Sequence, residues 1–265
     1  MRKNQPWNCW IIANMAAGRL WMLSQLAALQ RMSTRSGVNI IVSTGYHLPM
    51  FYPEDHPIHF AEKQELEDIF LEELSEKIRD PGLKEPYENV KAGMVKAAIP
   101  AEGPIGRYEV LLRAAASSAA KMSVPLMLHT EKGKSALAAI CMCEMEGLPA
   151  KRMLVCHVDR QATDYTVHEE IARTGAFLEY DTIHRLAYHD DKSEYKLIHY
   201  MINAGYAGQL LFSLDTTAKR LNHYGGEIGL SYLLRTFLPA LQSAGVPGAV
   251  LHQIAYENPI SVFCS

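Results

Sequence analysis

Pro125-Leu126-Met127-Leu128-His129 and Met153-Leu154-Val155-Cys156-His157 decide the reading of this chain, together with Gly93-Met94-Val95-Lys96 before them and Gln209-Leu210-Leu211-Phe212-Ser213-Leu214-Asp215 after them. Each is a short hydrophobic run with the length and composition of a buried strand. Each ends in a single polar residue and is followed by a turn and then a helical pattern. Strands that alternate with helices pair in parallel and are covered by those helices. Their C-terminal ends then share one face, where α/β folds carry their chemistry. Lys96, His129, His157 and Asp215 are expected there.

Working outward, the pattern predicts strands near 38–43, 94–99, 125–129, 153–157, 176–180 and 209–214, and helices near 19–35, 61–79, 107–122, 133–147, 162–174, 192–204, 229–243 and 247–255. From the second strand on, the spacing is about that of one βα unit. Gly37, Gly175 and Gly205 fall where a helix ends and the chain turns into the next strand. A dinucleotide-binding sheet would need a glycine-rich loop after its first strand. That strand instead runs into Ser43-Thr44-Gly45-Tyr46-His47-Leu48-Pro49, with one glycine, and Gly225-Gly226 lacks the fingerprint as well. A (β/α)8 barrel of TIM type is therefore favoured, incomplete, with about six of eight strands and two unaccounted for at the N-terminus.

Composition narrows the class. The chain has 265 residues, 48% hydrophobic and 21% charged, with a net charge of -3, which is an ordinary globular balance with no electrostatic case for nucleic acid. No linker divides it, so a single domain over 1–265 is expected, with residues 1–36 an atypical N-terminal segment. Five scattered cysteines suit reduced thiols in a cytoplasm. Cys141 and Cys143 lie two apart in a helical pattern and diverge, which makes a poor metal clip. Neither a signal peptide nor a membrane span is read at the N-terminus, where Asn14 interrupts a short apolar run.

Imidazole and carboxylate are good ligands for zinc and related divalent ions. An ammonium is not, but a buried lysine that loses its proton and takes up carbon dioxide becomes a carbamate able to bridge two ions. Metal held in this way brings a bound water's pKa toward neutrality, and an aspartate at the last strand can accept the water's proton. Taken singly, each residue has a plainer role: a hydrogen-bonded histidine, a snorkelling lysine, a helix-capping aspartate. Their recurrence at the same end of successive units is what points to a site.

These residues and their neighbours resemble the phosphotriesterase family of the amidohydrolase superfamily. The resemblance is carried by Gly37–Tyr46, Lys91–Lys96, Val124–Thr130, Val155–Asp159, Leu211–Asp215 and the tail Glu257-Asn258-Pro259. It implies a barrel with a two-metal centre that hydrolyses an ester or lactone. Lys96 would be the carboxylated bridge, His129 and His157 the ligands of one ion, and Asp215 a ligand of the other and the proton acceptor. The metal expected is zinc, with manganese and cobalt equally compatible with the ligand set. The family's opening His-x-His pair occurs nowhere among the 11 histidines. The alternative expectation is accordingly a truncated, catalytically impaired member that retains a partial metal site.

Two loops are expected at the mouth of the site. Arg185, Lys219 and Arg220 would meet an anionic group such as the phosphate of a sugar lactone, and Tyr188 or Tyr224 would donate a hydrogen bond. Tyr46 and His47 are read as lining the same pocket, and His56, His59, His168, His189, His199, His223 and His252 as non-ligands. The partner implied is a small ester or lactone, with no nucleic acid and no membrane. An uncovered strand edge is one that a second copy would cover, which makes a homo-oligomer an expectation.

Overall fold

The computed structural model describes residues 10–13, 26–78, 90–131 and 133–264. Among these, the strands are β1 (Trp10–Ala13), β2 (Asn39–Gly45), β3 (Met94–Ala98), β4 (Leu126–His129), β5 (Met153–Cys156), β6 (Phe177–Tyr180) and β7 (Leu210–Phe212). All six strands expected from sequence are present, and Trp10–Ala13 adds a seventh. Helices α1 (Leu26–Ser36), α2 (Lys63–Ser75), α3 (Arg107–Met122), α4 (Ala136–Met145), α5 (Tyr165–Arg173) and α6 (Asp191–Asn203) follow the expected alternation. The first part of the helix read over 19–35 lies outside the described residues. No helix among the described residues is long and apolar enough to cross a membrane.

Contacts divide the chain into two compact units, residues 1–129 with 138–153 and residues 130–137 with 154–265. In the first, β1 pairs with β2, β2 with β3 and β3 with β4, all in parallel. The register decides which side chains share a face. Gly45 lies opposite Lys96 and Lys96 opposite Met127, with Ala98 opposite His129. Side chains alternate along a strand, so Lys96 and His129 share the face opposite to Thr44 and Val95. That second face is the one the helices cover, because Thr44 Oγ1 donates to Glu73 Oε2 of α2 at 2.5 Å.

Helix α3 is dense in alanine, and Ala114, Ala115, Ala116 and Ala119 are buried against its neighbours. Small side chains let helix and sheet approach closely with little loss of rotamer freedom. Glu146, just beyond α4, accepts from Lys63 Nζ at 2.6 Å and from Arg113 Nη1 at 2.9 Å, joining three helical segments. Gly37, Gly175 and Gly205 take positive φ of 72°, 90° and 90° after their helices. This is the left-handed stop expected of glycine there.

In the second unit β5, β6 and β7 pair in parallel, and α7 (Leu238–Ser243), α8 (Gly248–His252) and α9 (Asn258–Phe263) complete the chain. Wide turns at Leu233–Phe237 and Gln253–Glu257 run directly into α7 and α9, each with a proline in its first turn. A proline ring displaces the carbonyl four residues back, and a widened turn absorbs it. The helical path expected to stop at 255 therefore continues to Phe263. Buried Asn258 holds it in place, its Nδ2 donating to the carbonyls of Ala207 and Leu210 at 2.8 Å each. This ties the Glu257-Asn258-Pro259 stretch to the start of β7.

Candidate active site

The first unit places Lys96 in the middle of β3, 3% exposed, and His129 at the last position of β4, 6% exposed. His47 follows β2 on the same face, with its ring centroid 4.5 Å from that of His129. His47 Nδ1 accepts from the Leu48 amide at 2.7 Å, which puts the imidazole proton on Nε2. Tyr46, expected in the same pocket, is instead packed edge-on against Tyr52, His56 and Phe70.

The second unit holds His157 and Asp215. His157 takes φ 64°, a left-handed conformation that a non-glycine residue adopts only when its surroundings impose it. Asp181, just after β6, imposes it. One carboxylate oxygen accepts from the His157 amide at 3.1 Å and the other from Nδ1 at 2.8 Å. The imidazole is locked in one orientation, with its proton on Nδ1 and its lone pair on Nε2. This is the carboxylate–histidine arrangement that orients metal-binding imidazoles, so His157 fits a metal ligand by its own hydrogen bonding. Burial holds the Asp181 carboxyl well above the usual range, with the charges of Glu179 and Asp215 acting in the same direction.

Asp215, three residues beyond β7, also takes positive φ, 39°. Its Oδ2 accepts from Arg185 Nη1 at 2.7 Å. Of the loop residues expected to contact substrate, Arg185, Lys219 and Arg220 line one cavity of about 390 Å³, together with His184, Gly226 and Glu227. Arg220 is also structural, donating to the carbonyls of Leu214 and Ile183. Tyr188 is not among the lining residues; its ring lies beneath the guanidinium groups of Arg160 and Arg185, at 5.2 and 5.5 Å. Gly226 is needed where it stands, since a Cβ would come within 2.2 Å of the Arg220 backbone.

Three groups that the sequence reading did not single out complete the second unit. Cys156 Sγ donates to Glu179 Oε2 at 2.9 Å, and with Asp181 they form a buried cluster of potential ligands. Asp159 is fully buried and accepts from the Thr182 amide at 2.6 Å. Burial and then Asp181 push its carboxyl up to about 7. A carboxyl raised in the folded state keeps its proton while the unfolded chain ionises. Asp159 should therefore contribute a loss of stability to the metal-free protein as pH rises from about 4 to about 7, as linkage requires. Denaturant unfolding in a chelator at pH 5 and pH 8 measures this, and Asp159→Asn should reduce the difference.

Residues 14–263 match the model of the phosphotriesterase family. The chain belongs to this family. Among its relatives, the phosphotriesterase homology protein of Escherichia coli is 27% identical over 86% of this chain and 75% of its own length. A phospho-furanose lactonase of Mycoplasmopsis synoviae is 28% identical over 84% of this chain and 66% of its own. An N-acetyltaurine hydrolase of Danio rerio is 26% identical over 88% of this chain and 68% of its own. The fold is also that of a solved lactonase from Listeria monocytogenes, with a TM-score of 0.83, 24% identity, and coverage of 96% of this chain and 81% of that one. An amidohydrolase from Mycoplasma synoviae gives a TM-score of 0.83 at 23% identity, covering 96% of this chain and 74% of that one. The α/β fold of TIM-type barrels expected from the strand–helix alternation is thus the fold found.

Proposed function

We propose that this phosphotriesterase-family chain is a metal-dependent hydrolase that opens a lactone or cleaves a carboxylic ester, with a phosphorylated sugar lactone as the substrate class. The observation that carries the reading is the His157–Asp181 pair, in which a carboxylate orients a buried imidazole as it does for metal-binding histidines. Lys96 as its carbamate, His129, His157 and Asp215 would hold divalent metal, zinc foremost. Such an ion supplies an activated water and polarises the carbonyl under attack. Asp215 takes the water's proton, and Arg185 Nη1, which donates to its Oδ2 at 2.7 Å, holds that carboxylate in position. Asp181 holds the imidazole of His157 in its ligand tautomer.

The substrate class rests on the basic wall of the cavity, where Arg185, Lys219 and Arg220 converge. Guanidinium and ammonium groups bind a phosphate through charge-assisted hydrogen bonds. The phospho-furanose lactonase among the relatives supports the same class. Of the three cations, Lys219 is the one whose removal leaves the carbonyl contacts of Arg220 and the Asp215 pair in place. Lys219→Ala should raise KM for a phosphorylated lactone about tenfold, the loss of one charge-assisted contact, and leave turnover of its unphosphorylated analogue unchanged. An equal change for both lactones would sink the phosphate assignment.

A second reading, a family member with a partial metal site and weak turnover, is favoured by the absence of a His-x-His pair from the sequence. Assay with zinc or manganese, bicarbonate and a lactone panel separates the two. Turnover that vanishes in chelator supports the hydrolase, whereas metal binding without turnover supports the second reading.

A further inference from the structure

A second cluster in the unit formed by residues 130–137 and 154–265 shares no residue with the ligands assigned above, although Asp159 stands two positions after His157. One ligand atom from each of Asp159, His189 and Glu194 lies within 4.8 Å of the other two. Asp159 sits in the turn after β5, and His189 and Glu194 flank the start of α6. Asp159 and Glu194 are both fully buried. Asp159 Oδ1 and both carboxylate oxygens of Glu194 have no hydrogen-bond partner. An ionised carboxylate left so in the interior costs several kcal/mol unless a positive charge meets it.

The histidine sharpens the point. His189 Nδ1 lies 3.2 Å from the Asp190 carbonyl, an acceptor only, so the proton belongs on Nδ1. Nε2 then presents its lone pair, 3.1 Å from Glu194 Oε2 and 3.0 Å from Thr182 Oγ1. In that form Nε2 and the carboxylate oxygen face each other across 3.1 Å, a pair that either a proton on Nε2 or a metal ion between them would join. Two carboxylates and a neutral imidazole match the charge and donor preference of a first-row divalent ion. Tetrahedral ligands about 2.0–2.2 Å from one ion stand roughly 3.3–3.6 Å apart. His189 Nε2 and Glu194 Oε2, at 3.1 Å, are already near that spacing.

We propose that Asp159, His189 and Glu194 form a second, structural site for a divalent metal ion, which fastens the turn after β5 to the first turn of α6. His189, expected from its polar surroundings to be a non-ligand, would be the nitrogen donor of this site. The ion neutralises the two buried carboxylates and satisfies the three orphaned oxygens together.

The test is metal content. The chelator-treated protein, Glu194→Gln, His157→Ala and the double variant are loaded with Zn²⁺ or Mn²⁺, freed of excess and analysed by inductively coupled plasma mass spectrometry. Glu194→Gln should lose about one ion per chain in both backgrounds, and Zn²⁺ should raise Tm in His157→Ala but not in the double variant. Unchanged metal content on Glu194→Gln would overturn the proposal and assign protons to the cluster instead. Should Glu194→Gln fail to fold, crystals of the unaltered protein in Zn²⁺ decide. An anomalous peak among Asp159, His189 and Glu194 supports the site, and its absence at Zn²⁺ saturating for the rest of the protein overturns it.

Discussion

His157→Ala should reduce metal-supported lactone hydrolysis by at least about 10³-fold, because it removes a ligand of the ion that generates the nucleophile and polarises the carbonyl. Asp181→Ala should cost less, about 10- to 100-fold, the usual penalty for losing the group that orients a ligating imidazole. The two effects should not add. Asp181 acts on the metal through the 2.8 Å contact with Nδ1, so once His157 is gone its removal should bring little further loss. Metal titration distinguishes this from general destabilisation, since His129→Ala and His157→Ala should weaken zinc binding more than Asp215→Ala. Equal losses in the three variants would argue against assigning both histidines to one ion.

The largest stability effect is expected at Gly45. Its φ is +90°, and a Cβ there would lie 2.0 Å from the carbonyl oxygen of Lys96 and 2.9 Å from the Lys96 nitrogen. Those atoms are backbone of the neighbouring strand. They cannot swing aside without breaking the pairing of Gly45 with Lys96 and the Tyr46 amide bond to Lys96 O at 3.1 Å. Two penalties coincide, a left-handed backbone that disfavours any side chain and overpacking with no flexible neighbour to yield. Gly45→Ala should therefore destabilise the protein by about 4 kcal/mol or more, in the range reserved for severe mechanisms. For a chain of this size that means a fall in Tm of roughly 10 °C. Gly37→Ala is the internal control, because its Cβ meets nothing within 4 Å. Gly37→Ala should cost only about 1 kcal/mol, the left-handed term alone, and if the two variants melt together the steric account is wrong.

Much of the fold was legible in the residues. The runs ending in Lys96, His129, His157 and Asp215 are local signals: a strand buried on both faces has to be hydrophobic along its whole length, and sequence records this directly. Helix ends were legible for the same reason at Gly37, Gly175 and Gly205, where a positive φ demands one residue type. Trp10–Ala13 was not, because four residues beside a polar interruption carry too little pattern. Its pairing with Asn39–Val42 comes from a strand nearly thirty residues away. The widened turns before Pro239 and Pro259 were hidden too, since a proline in a helical pattern announces a break and not how packing absorbs it.

By itself, then, the sequence determined the alternation of strands and helices, the family, and which four polar residues close the hydrophobic runs. Those features are set by neighbours along the chain. The partners of those side chains were decided only by the tertiary structure. Asp181 reaches His157 across 24 positions and Arg185 reaches Asp215 across 30. Tyr188 lies under two guanidinium groups instead of lining the cavity beside them. In the sequence Glu194 is one acidic residue near the start of the helix expected over 192–204, where the dipole favours such a charge at the surface. Folding buries it beside Asp159 and His189, and burial turns an ordinary helix-end carboxylate into one that needs a positive charge.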